Sequence, residues 1–281
     1  MASHGRRCPP ELPSLGASNW RVRVLRQLQQ GKHREATGLT LLEGRRLVQT
    51  ALAAGAEPAL VVVDEANVPD WVFGLADRRG QGEGCELFKA SDSVMSRLSP
   101  SVSPPGVVAA VKIPRLEIPQ PPFAPDFTVL CLDEVADPGN AGTLIRTAVA
   151  AGARAVVGIG GVDLWGPKVV RAAMGSSFQL PVLSLLAESG PDLLADLRKE
   201  GCRLIAASPH ARDSVWEANL LGPCALVLGN EAWGLRPEVE RLTDLAVAIP
   251  LAGGVESLNV AQAGTLILFE IRRQKQQAPG H

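Results

Sequence analysis

Short apolar runs alternate with amphipathic segments along most of the chain, and this pattern predicts strands that alternate with helices. In the first part of the chain the predicted strands are 39–42, 59–63, 86–88 and 107–112, and the predicted helices are 19–30, 43–54, 71–79 and 91–98. The basic stretch 31–38 has no apolar period and is predicted as a loop. Such an order is typical of a small α/β module.

The same alternation resumes after a proline-rich interval. Residues 113–126 contain five prolines, which favours an extended linker. Beyond it the predicted strands are 128–132, 155–159, 182–185, 203–207, 224–228 and 245–249, and the predicted helices are 141–151, 167–174, 192–200 and 258–272. Strands separated by helices indicate a mainly parallel sheet that is covered on both faces. We therefore predict two domains, 18–112 and 127–275, with disordered ends at 1–17 and 276–281.

Charge is distributed unevenly between these two parts. The net charge of the chain is −1, but residues 1–48 carry nine Lys or Arg against three Glu, a balance of +6, so the remainder sums to −7. A basic end on an otherwise acidic protein predicts a polyanionic partner. The alternative is an ordinary solvated helix surface. The candidate contacts are Arg21, Arg23, Arg26, Lys32, Arg34, Arg45 and Arg46.

Composition excludes several other classes of protein. Hydrophobic residues make up 46% of the chain, but no apolar run reaches the ~18 residues of a membrane span. The first sixteen residues lack the apolar core of a secretory signal, whereas an organellar transit peptide stays open as an alternative. The five cysteines and four histidines are dispersed, which predicts no metal site and a reducing cytoplasm.

Two neighbouring stretches near the C-terminal end suit a small ligand. In 225–235 and 249–261 an apolar run ends in a loop that contains glycine. Gly229 and Gly234 bracket Asn230 and Glu231, where the backbone can turn sharply beside two polar side chains. Ser257 is the predicted N-cap of the last helix. Strand ends with glycine loops are typical of ligand sites in parallel sheets.

Together with the stretch 132–148, these segments resemble the three signatures of the SpoU/TrmH methyltransferases, in order and over roughly 127–273. The resemblance implies an AdoMet-dependent RNA ribose 2′-O-methyltransferase with the SPOUT fold, a parallel sheet whose C-terminal part forms a deep trefoil knot. The preceding part is similar to a small RNA-binding domain related to kink-turn-binding ribosomal proteins. This second match depends on the helix after Asn19 and on residues 42–47 and 103–109, and it implies that the basic residues named above bind RNA, most simply ribosomal RNA.

The resemblance also implies roles for individual residues. The cofactor-binding positions that it implies are Leu228, Gly229, Asn230, Ile249, Leu251, Ser257 and Leu258. The implied catalytic positions are Arg146, Asn140, Glu231, Ser257 and Asn259. Since arginine stays protonated, we interpret Arg146 as a cation that binds an RNA phosphate and favours the developing alkoxide. The alternatives are a salt bridge from Arg146 to Glu134 or Asp137, and architectural hydrogen bonds for the others, with Asn140 capping its helix.

Two further expectations follow from the family. The last helix carries a wide apolar stripe, and the family implies an intertwined homodimer. The alternatives to ribosomal RNA methylation are a tRNA 2′-O-methyltransferase and a non-catalytic RNA-binding or ribosome assembly factor. Retention of all five candidate catalytic residues favours the enzyme over the non-catalytic factor.

Overall fold

The computed structural model describes residues 11–79, 84–99 and 106–278. The predictions made for residues 1–10 and 279–281, and for the start of the 103–109 motif, lie outside the described residues. The chain divides into two compact units, Met1–Ile113 and Pro114–His281. Each unit is described by itself below.

The N-terminal unit has a four-stranded sheet with helices packed against it. Its elements are α1 (Trp20–Gln27), α2 (Gly31–Thr37), β1 (Leu39–Glu43), α3 (Arg45–Ala53), β2 (Pro58–Asp64), α4 (Trp71–Arg79), β3 (Glu86–Ala90), α5 (Asp92–Leu98) and β4 (Val107–Lys112). The strand order is β1-β4-β2-β3. Strand β4 is antiparallel to both β1 and β2, and β2 is parallel to β3. Leu25, Leu28 and Met95 lie in its fully buried core.

Two predictions for this unit are wrong. Residues 31–37 form helix α2, which ends at Gly38 in a left-handed conformation with φ 66°. The prediction failed because these mostly polar residues give no apolar period. The predicted disorder of 1–17 is contradicted for 11–17, where Leu12 and Leu15 are buried. Leu15 N donates to Lys89 O at 2.7 Å, which fixes this segment beside β3.

The C-terminal unit contains the longer run of alternating elements. These are β5 (Thr128–Asp133), α6 (Pro138–Ala151), β6 (Ala155–Ile159), α7 (Pro167–Ala173), β7 (Val182–Leu185), α8 (Gly190–Lys199), β8 (Arg203–Ala207), β9 (Asp213–Ser214), β10 (Cys224–Leu228), α9 (Pro237–Glu240), β11 (Leu245–Ala248) and α10 (Val260–Gln277). The elements β9 and α9 were not predicted, because two to four residues are too few to establish a period. Helix α10 includes residues 276–277, so the predicted disordered tail is wrong there.

All seven strands of this unit run parallel, in the order β7-β6-β5-β10-β8-β11-β9, which confirms the predicted parallel α/β fold. The strand order changes direction between β5 and β10, since β6 and β7 extend one way and β8, β11 and β9 the other. In open α/β sheets such a switch point opens a crevice at the carboxyl ends of the strands, where ligands bind.

Close helix packing fixes the position of this crevice. A Cβ at Gly142 of α6 would lie 2.5 Å from the carbonyl oxygen of Val169 in α7. A Cβ at Gly264 of α10 would lie 2.5 Å from side-chain carbons of Leu144 in α6 and Leu228 in β10. Glycine at both positions therefore lets α6 lie against α7 and α10, and α10 against β10.

The proline-rich stretch has neither helix nor strand, but it is not detached from the C-terminal unit. Ile118 and Phe123 are partly buried against the core cluster of that unit. The Phe123 ring stacks on Phe127 with a centroid separation of 4.1 Å. The predicted linker 113–126 is thus anchored to the C-terminal unit by apolar contacts of Ile118 and Phe123.

Candidate active site

Three loops converge at the carboxyl edge of the parallel sheet, and each contains one of the signature segments. They follow β5 (residues 134–137), β10 (229–236) and β11 (249–259). Because β5 and β10 are adjacent parallel strands, their loops leave the sheet side by side. Side-chain hydrogen bonds then join all three loops.

Glu231 holds the loop after β5. Its carboxylate accepts hydrogen bonds from the backbone N–H groups of Ala136 and Asp137, both at 3.1 Å. It also accepts one from Asn140 Nδ2 at 2.8 Å. Partial desolvation alone would raise the pKa of the Glu231 carboxyl, but these hydrogen bonds outweigh it and lower the pKa below 4.5. Glu231 is thus an ionised brace, and its oxygens are occupied by protein donors.

Asn140 extends this brace to the last loop. Its Oδ1 accepts a hydrogen bond from Asn259 Nδ2 at 2.9 Å. Glu231, Asn140 and Asn259 therefore form a continuous chain of hydrogen bonds across the three loops. Spacing in the sequence could not reveal this chain, since its members are separated by 91 and 119 residues.

The two predicted helix caps are wrong. Helix α6 is capped by Asp137, whose Oδ1 accepts from Asn140 N at 2.8 Å, and Asn140 itself lies inside the helix. Helix α10 is capped by Asn259, whose Oδ1 accepts from Ala261 N at 2.8 Å, instead of by Ser257. The reason is that the helix begins two residues later than its apolar pattern predicts, leaving Ser257 exposed in the loop.

Asn230 and Gly229 shape the turn after β10. Asn230 is buried, and its Nδ2 donates to the carbonyl oxygen of Glu134 at 2.8 Å while its backbone pairs with Gly234. A Cβ at Gly229 would lie 2.2 Å from the carbonyl carbon of Gly234 and 2.4 Å from Leu235 N. We expected glycine at 229 in order to avoid a ligand. In this structure the close neighbour is the backbone of the same turn.

A buried ion pair supports the same turn and was missed in the sequence. The Asp133 side chain is fully buried and accepts from Arg236 N at 2.9 Å and from Arg236 Nε at 2.8 Å. Arg236 Nη1 also donates to Ala187 O at 3.0 Å. An aspartate at the end of an apolar strand was a signal of a buried polar role, but its partner lies 103 residues away. The pair fixes the turn after β10 to the end of β5.

Arg146 differs from this braced set. It is exposed on α6, and within the described part of the chain its guanidinium forms neither an ion pair nor a hydrogen bond. The alternative salt bridge to Glu134 or Asp137 is therefore not formed. A permanently charged group without a protein partner is available for a phosphate or a developing oxyanion.

The loop after β11 has the properties of a cofactor cradle. Ile249 and Leu258 are half-buried and Leu251 is 37% exposed. The peptide N–H groups of 251–258 donate no hydrogen bond within the described residues. Unused peptide groups and partly exposed apolar side chains fit the polar and apolar parts of a nucleoside such as AdoMet. Among the described residues no cluster of His, Cys, Asp and Glu could hold a metal ion.

The predicted RNA-binding residues of the N-terminal unit fall into two groups. Arg23, Arg26, Lys32, Arg45 and Arg46 are exposed. Arg21 is engaged by Glu86, and Arg34 is buried and donates from Nη1 to Leu28 O at 2.6 Å. Arg34 therefore supports the turn between α1 and α2 and does not present its guanidinium to RNA, which contradicts its predicted role.

Fold and site together define an α/β enzyme domain with a ligand crevice at the carboxyl edge of a parallel sheet, preceded by a basic module. The chain belongs to the SpoU rRNA Methylase family, which matches residues 128–269. The MRM3-like substrate binding domain matches residues 19–109. These matches confirm the family resemblance of both parts.

Similar proteins extend over nearly the whole chain. An uncharacterized tRNA/rRNA methyltransferase of Synechocystis is 38% identical, covering 90% of this chain and 91% of its own. The 23S rRNA (guanosine(2553)-2′-O)-methyltransferase RlmP of Bacillus subtilis is 32% identical, covering 91% and 97%. The crystal structure of an AdoMet-bound rRNA methyltransferase from Sinorhizobium meliloti has a TM-score of 0.81 at 32% identity, covering 94% and 97%.

Proposed function

We propose that this protein transfers a methyl group from AdoMet to a ribose 2′-hydroxyl of ribosomal RNA, most simply RNA of the 23S type. The observation that carries this proposal is the junction of three signature loops through Glu231, Asn140 and Asn259, with a free arginine on the adjoining helix. The names of the relatives, an RlmP enzyme among them, support the same reaction and substrate.

AdoMet would be held by the loops after β10 and β11. When bound, it supplies an activated methyl group on a sulfonium, which is a good leaving group. The backbone of Gly229, Ile249 and Leu258, with apolar contacts from Leu228 and Leu251, would form the cradle. Asn230 and Ser257 complete the proposed cofactor-binding set: Asn230 by fixing the turn, Ser257 through its exposed hydroxyl. AdoMet bound in the similar Sinorhizobium structure supports this assignment.

Within the proposed site, Arg146 would act on the RNA. Its guanidinium would bind a backbone phosphate and stabilise the negative charge that develops on the 2′-oxygen. It does not serve as a general base by itself, since it stays protonated. Glu231, Asn140 and Asn259 would act by holding the loops that position both substrates.

Two alternative functions are less well supported. A tRNA substrate would require the N-terminal module to recognise tRNA, whereas the matched module belongs to the MRM3-like substrate binding type and the RlmP relative is named for 23S rRNA. A non-catalytic assembly factor would have no need for an unpartnered Arg146 beside an intact hydrogen-bonded loop junction. Ribosomal RNA methylation accounts for both features.

We further propose that the active form is a homodimer built on α10. The inner side of α10 buries Ala261, Ile267 and Ile271 within the chain, whereas Leu266 is 39% and Phe269 45% exposed. Large apolar side chains left on one side of a helix favour a partner surface. Light scattering should return about twice the chain mass of 29.6 kDa. An active monomer would contradict this proposal.

We also propose the trefoil knot that the family resemblance implies. Strand β10 lies between β5 and β8, the loop after β10 bonds to the loop after β5, and the loop after β11 bonds to Asn140 of α6. A C-terminal segment so placed suits threading through an earlier loop, as the SPOUT resemblance implies. An experimental structure traced from residue 127 to 277 should contain a closed knot, and an unthreaded path would refute it.

For the N-terminal unit we propose recruitment of RNA through its exposed basic residues, with the domain limits 18–112 and 127–275 predicted above. A chain beginning at Phe123 should fold, dimerise and bind AdoMet, yet bind its RNA weakly at physiological salt. Loss of phosphate contacts should also flatten the dependence of RNA affinity on salt. An equal affinity and an equal slope for the shortened chain would contradict this role.

The cytoplasm is the proposed compartment. The four cysteines of the described chain are free and buried, which fits a reducing environment. No helix in the described residues is long and apolar enough to cross a membrane. Cell fractionation with an antibody against the protein would test this assignment, and recovery from an organelle or an oxidising compartment would contradict it.

The reaction can be tested with purified components. The protein is incubated with methyl-labelled AdoMet and ribosomal RNA from cells that lack its gene, and the RNA is digested to nucleosides. The proposal predicts label in a 2′-O-methylated nucleoside, with the Arg146→Ala protein as the matched control. Label in a base-methylated nucleoside, or none in the RNA, would overturn it.

A further inference from the structure

A groove of about 510 Å³ lies along α1 of the N-terminal unit. Its walls include Asn19, Trp20, Arg23, Arg26 and Gln27. Among the described residues no acidic one lines the groove, and the first turn of α1 contains none. The groove is thus bounded by one aromatic ring, two cations and amide groups.

Trp20 is held in place and remains open to solvent. It is 54% exposed although it is the first residue of α1. The guanidinium of Arg21 lies 4.4 Å from the Trp20 ring centroid and 5.0 Å from that of Phe88. Glu86 fixes this guanidinium through two hydrogen bonds, one of them from Nε at 2.7 Å. The indole is therefore supported on a fixed cation while much of its surface is available.

Arg23 and Arg26 share the groove with this indole. They follow Trp20 at intervals of three residues, so all three side chains lie close to one side of the short helix. Both arginines are exposed, and within the described residues neither forms an ion pair or hydrogen bond through its side chain. Two unpaired cations beside an exposed aromatic ring match the chemistry that binds an unstacked nucleotide.

We propose that this groove binds a nucleotide of the RNA substrate that lies outside a double helix. Its base stacks on Trp20, and the adjoining phosphates contact Arg23 and Arg26. This inference rests on the proposed function, because it specifies which part of an RNA substrate the N-terminal unit reads. Stacking on an indole tolerates any base, so the groove selects unpaired structure and not sequence.

The test uses the full chain and a fluorescently labelled single-stranded RNA of about twelve nucleotides, a length within the usual range of such sites. Trp20→Leu should raise the Kd about tenfold, the loss expected from one stacked base, and Trp20→Phe should restore most of the affinity. The double change Arg23→Gln and Arg26→Gln should reduce the salt slope by about 1.4, or ~0.7 per phosphate contact. Arg97→Gln, an exposed arginine outside the groove, is the matched charge control and should leave both quantities unchanged.

Further measurements separate this inference from the function on which it rests. Calorimetric AdoMet affinity and methylation at saturating ribosomal RNA should be the same for Trp20→Leu and the unaltered protein, while KM for RNA rises. If the unaltered protein methylates RNA but Trp20→Leu binds single strands normally, or Trp20→Phe is as weak as Trp20→Leu, the groove is not a stacking site. If a duplex RNA of equal length responds equally to Trp20→Leu, selection of unpaired nucleotides is refuted. Absence of methylation by the unaltered protein would refute the proposed function alone.

Discussion

The polar residues at the carboxyl edge of the sheet behave in two different ways. Glu231, Asn140 and Asn259 are bonded to one another, and Glu231 also accepts from two backbone N–H groups of the loop after β5. Arg146 and residues 251–257 are exposed, and they form no such hydrogen bonds within the described chain. The difference separates groups that give the crevice its shape from groups that remain available for cofactor and RNA. Substitutions in the two sets should therefore fail in different ways.

The largest effect is expected for Arg146→Ala. Loss of a charge that acts in the transition state should lower turnover by roughly 10³-fold, the upper range for removing one oxyanion donor. AdoMet affinity and thermal stability should stay unchanged, because the Arg146 side chain has no hydrogen-bond or ion-pair partner among the described residues. Single-turnover methylation and calorimetry measure the two quantities. If AdoMet affinity fell in parallel with turnover, the assignment of Arg146 to RNA binding and transition-state stabilisation would be wrong.

Gly229→Ala should have a smaller effect, which is a loss of folding stability. The added Cβ would lie within 2.4 Å of the Gly234 and Leu235 backbone, so the turn must deform. Overpacking of this kind costs about 1–3 kcal/mol, and AdoMet affinity should fall with it. The control is Gly74→Ala, which has open space around its Cβ in helix α4 and should be neutral or stabilising. Normal stability with lost AdoMet binding would instead favour direct contact of Gly229 with the cofactor.

Asn259→Ala should have a modest effect on stability. It removes the cap of α10 and the link to Asn140 together. A lost cap costs about 1 kcal/mol, which lowers Tm by roughly 2–4 °C in a chain of this size. Asn259→Asp keeps the cap acceptor but cannot donate to Asn140, so it should recover most of the Tm and less of the activity. Activity of Asn259→Asp equal to that of the unaltered protein would show that the link between the loops is dispensable.

The smallest expected effect is a pH dependence that belongs to Glu231. Its folded-state pKa lies below the ordinary 4.5, so ionised Glu231 stabilises the fold above that pH. This contribution is lost as the pH falls below 4.5 through the folded-state pKa. Glu231→Gln should therefore flatten the acid side of a plot of Tm against pH below 4.5. An unchanged slope there would mean that the carboxylate does not brace the loops.

The sequence predicts some elements of the fold better than others. Buried parallel strands such as 155–159 and 224–228 are continuous apolar runs, so their bounds follow from composition alone. Helix α2 and the ordered segment 11–17 could not be predicted in this way, because long-range packing and a few backbone bonds to Lys89 determine them. The local apolar pattern thus predicts the buried strands of the sheet far better than the segments around them.

The features of the candidate site also differ in how well the sequence predicts them. The motif resemblance predicts that Arg146, Glu231 and Asn259 share one site. It did not reveal that Asp137 and Asn259 are the helix caps, that Arg34 is buried or that Asp133 pairs with Arg236. Each of these depends on partners brought together by the fold, or on a helix start displaced by two or three residues. The sequence predicts the chemical groups of the site, whereas the hydrogen bonds and the ion pair that hold them are evident only in the structure.

Mapping 2′-O-methylation across the ribosomal RNA of cells tests whether Arg146 serves methylation of a ribose in that RNA. Cells that lack the gene should lose methylation at a defined ribosomal nucleotide. The unaltered gene should restore it, and the Arg146→Ala gene should not, at equal protein levels. Unchanged ribosomal RNA, loss of a tRNA methylation instead, or full restoration by Arg146→Ala would contradict the account.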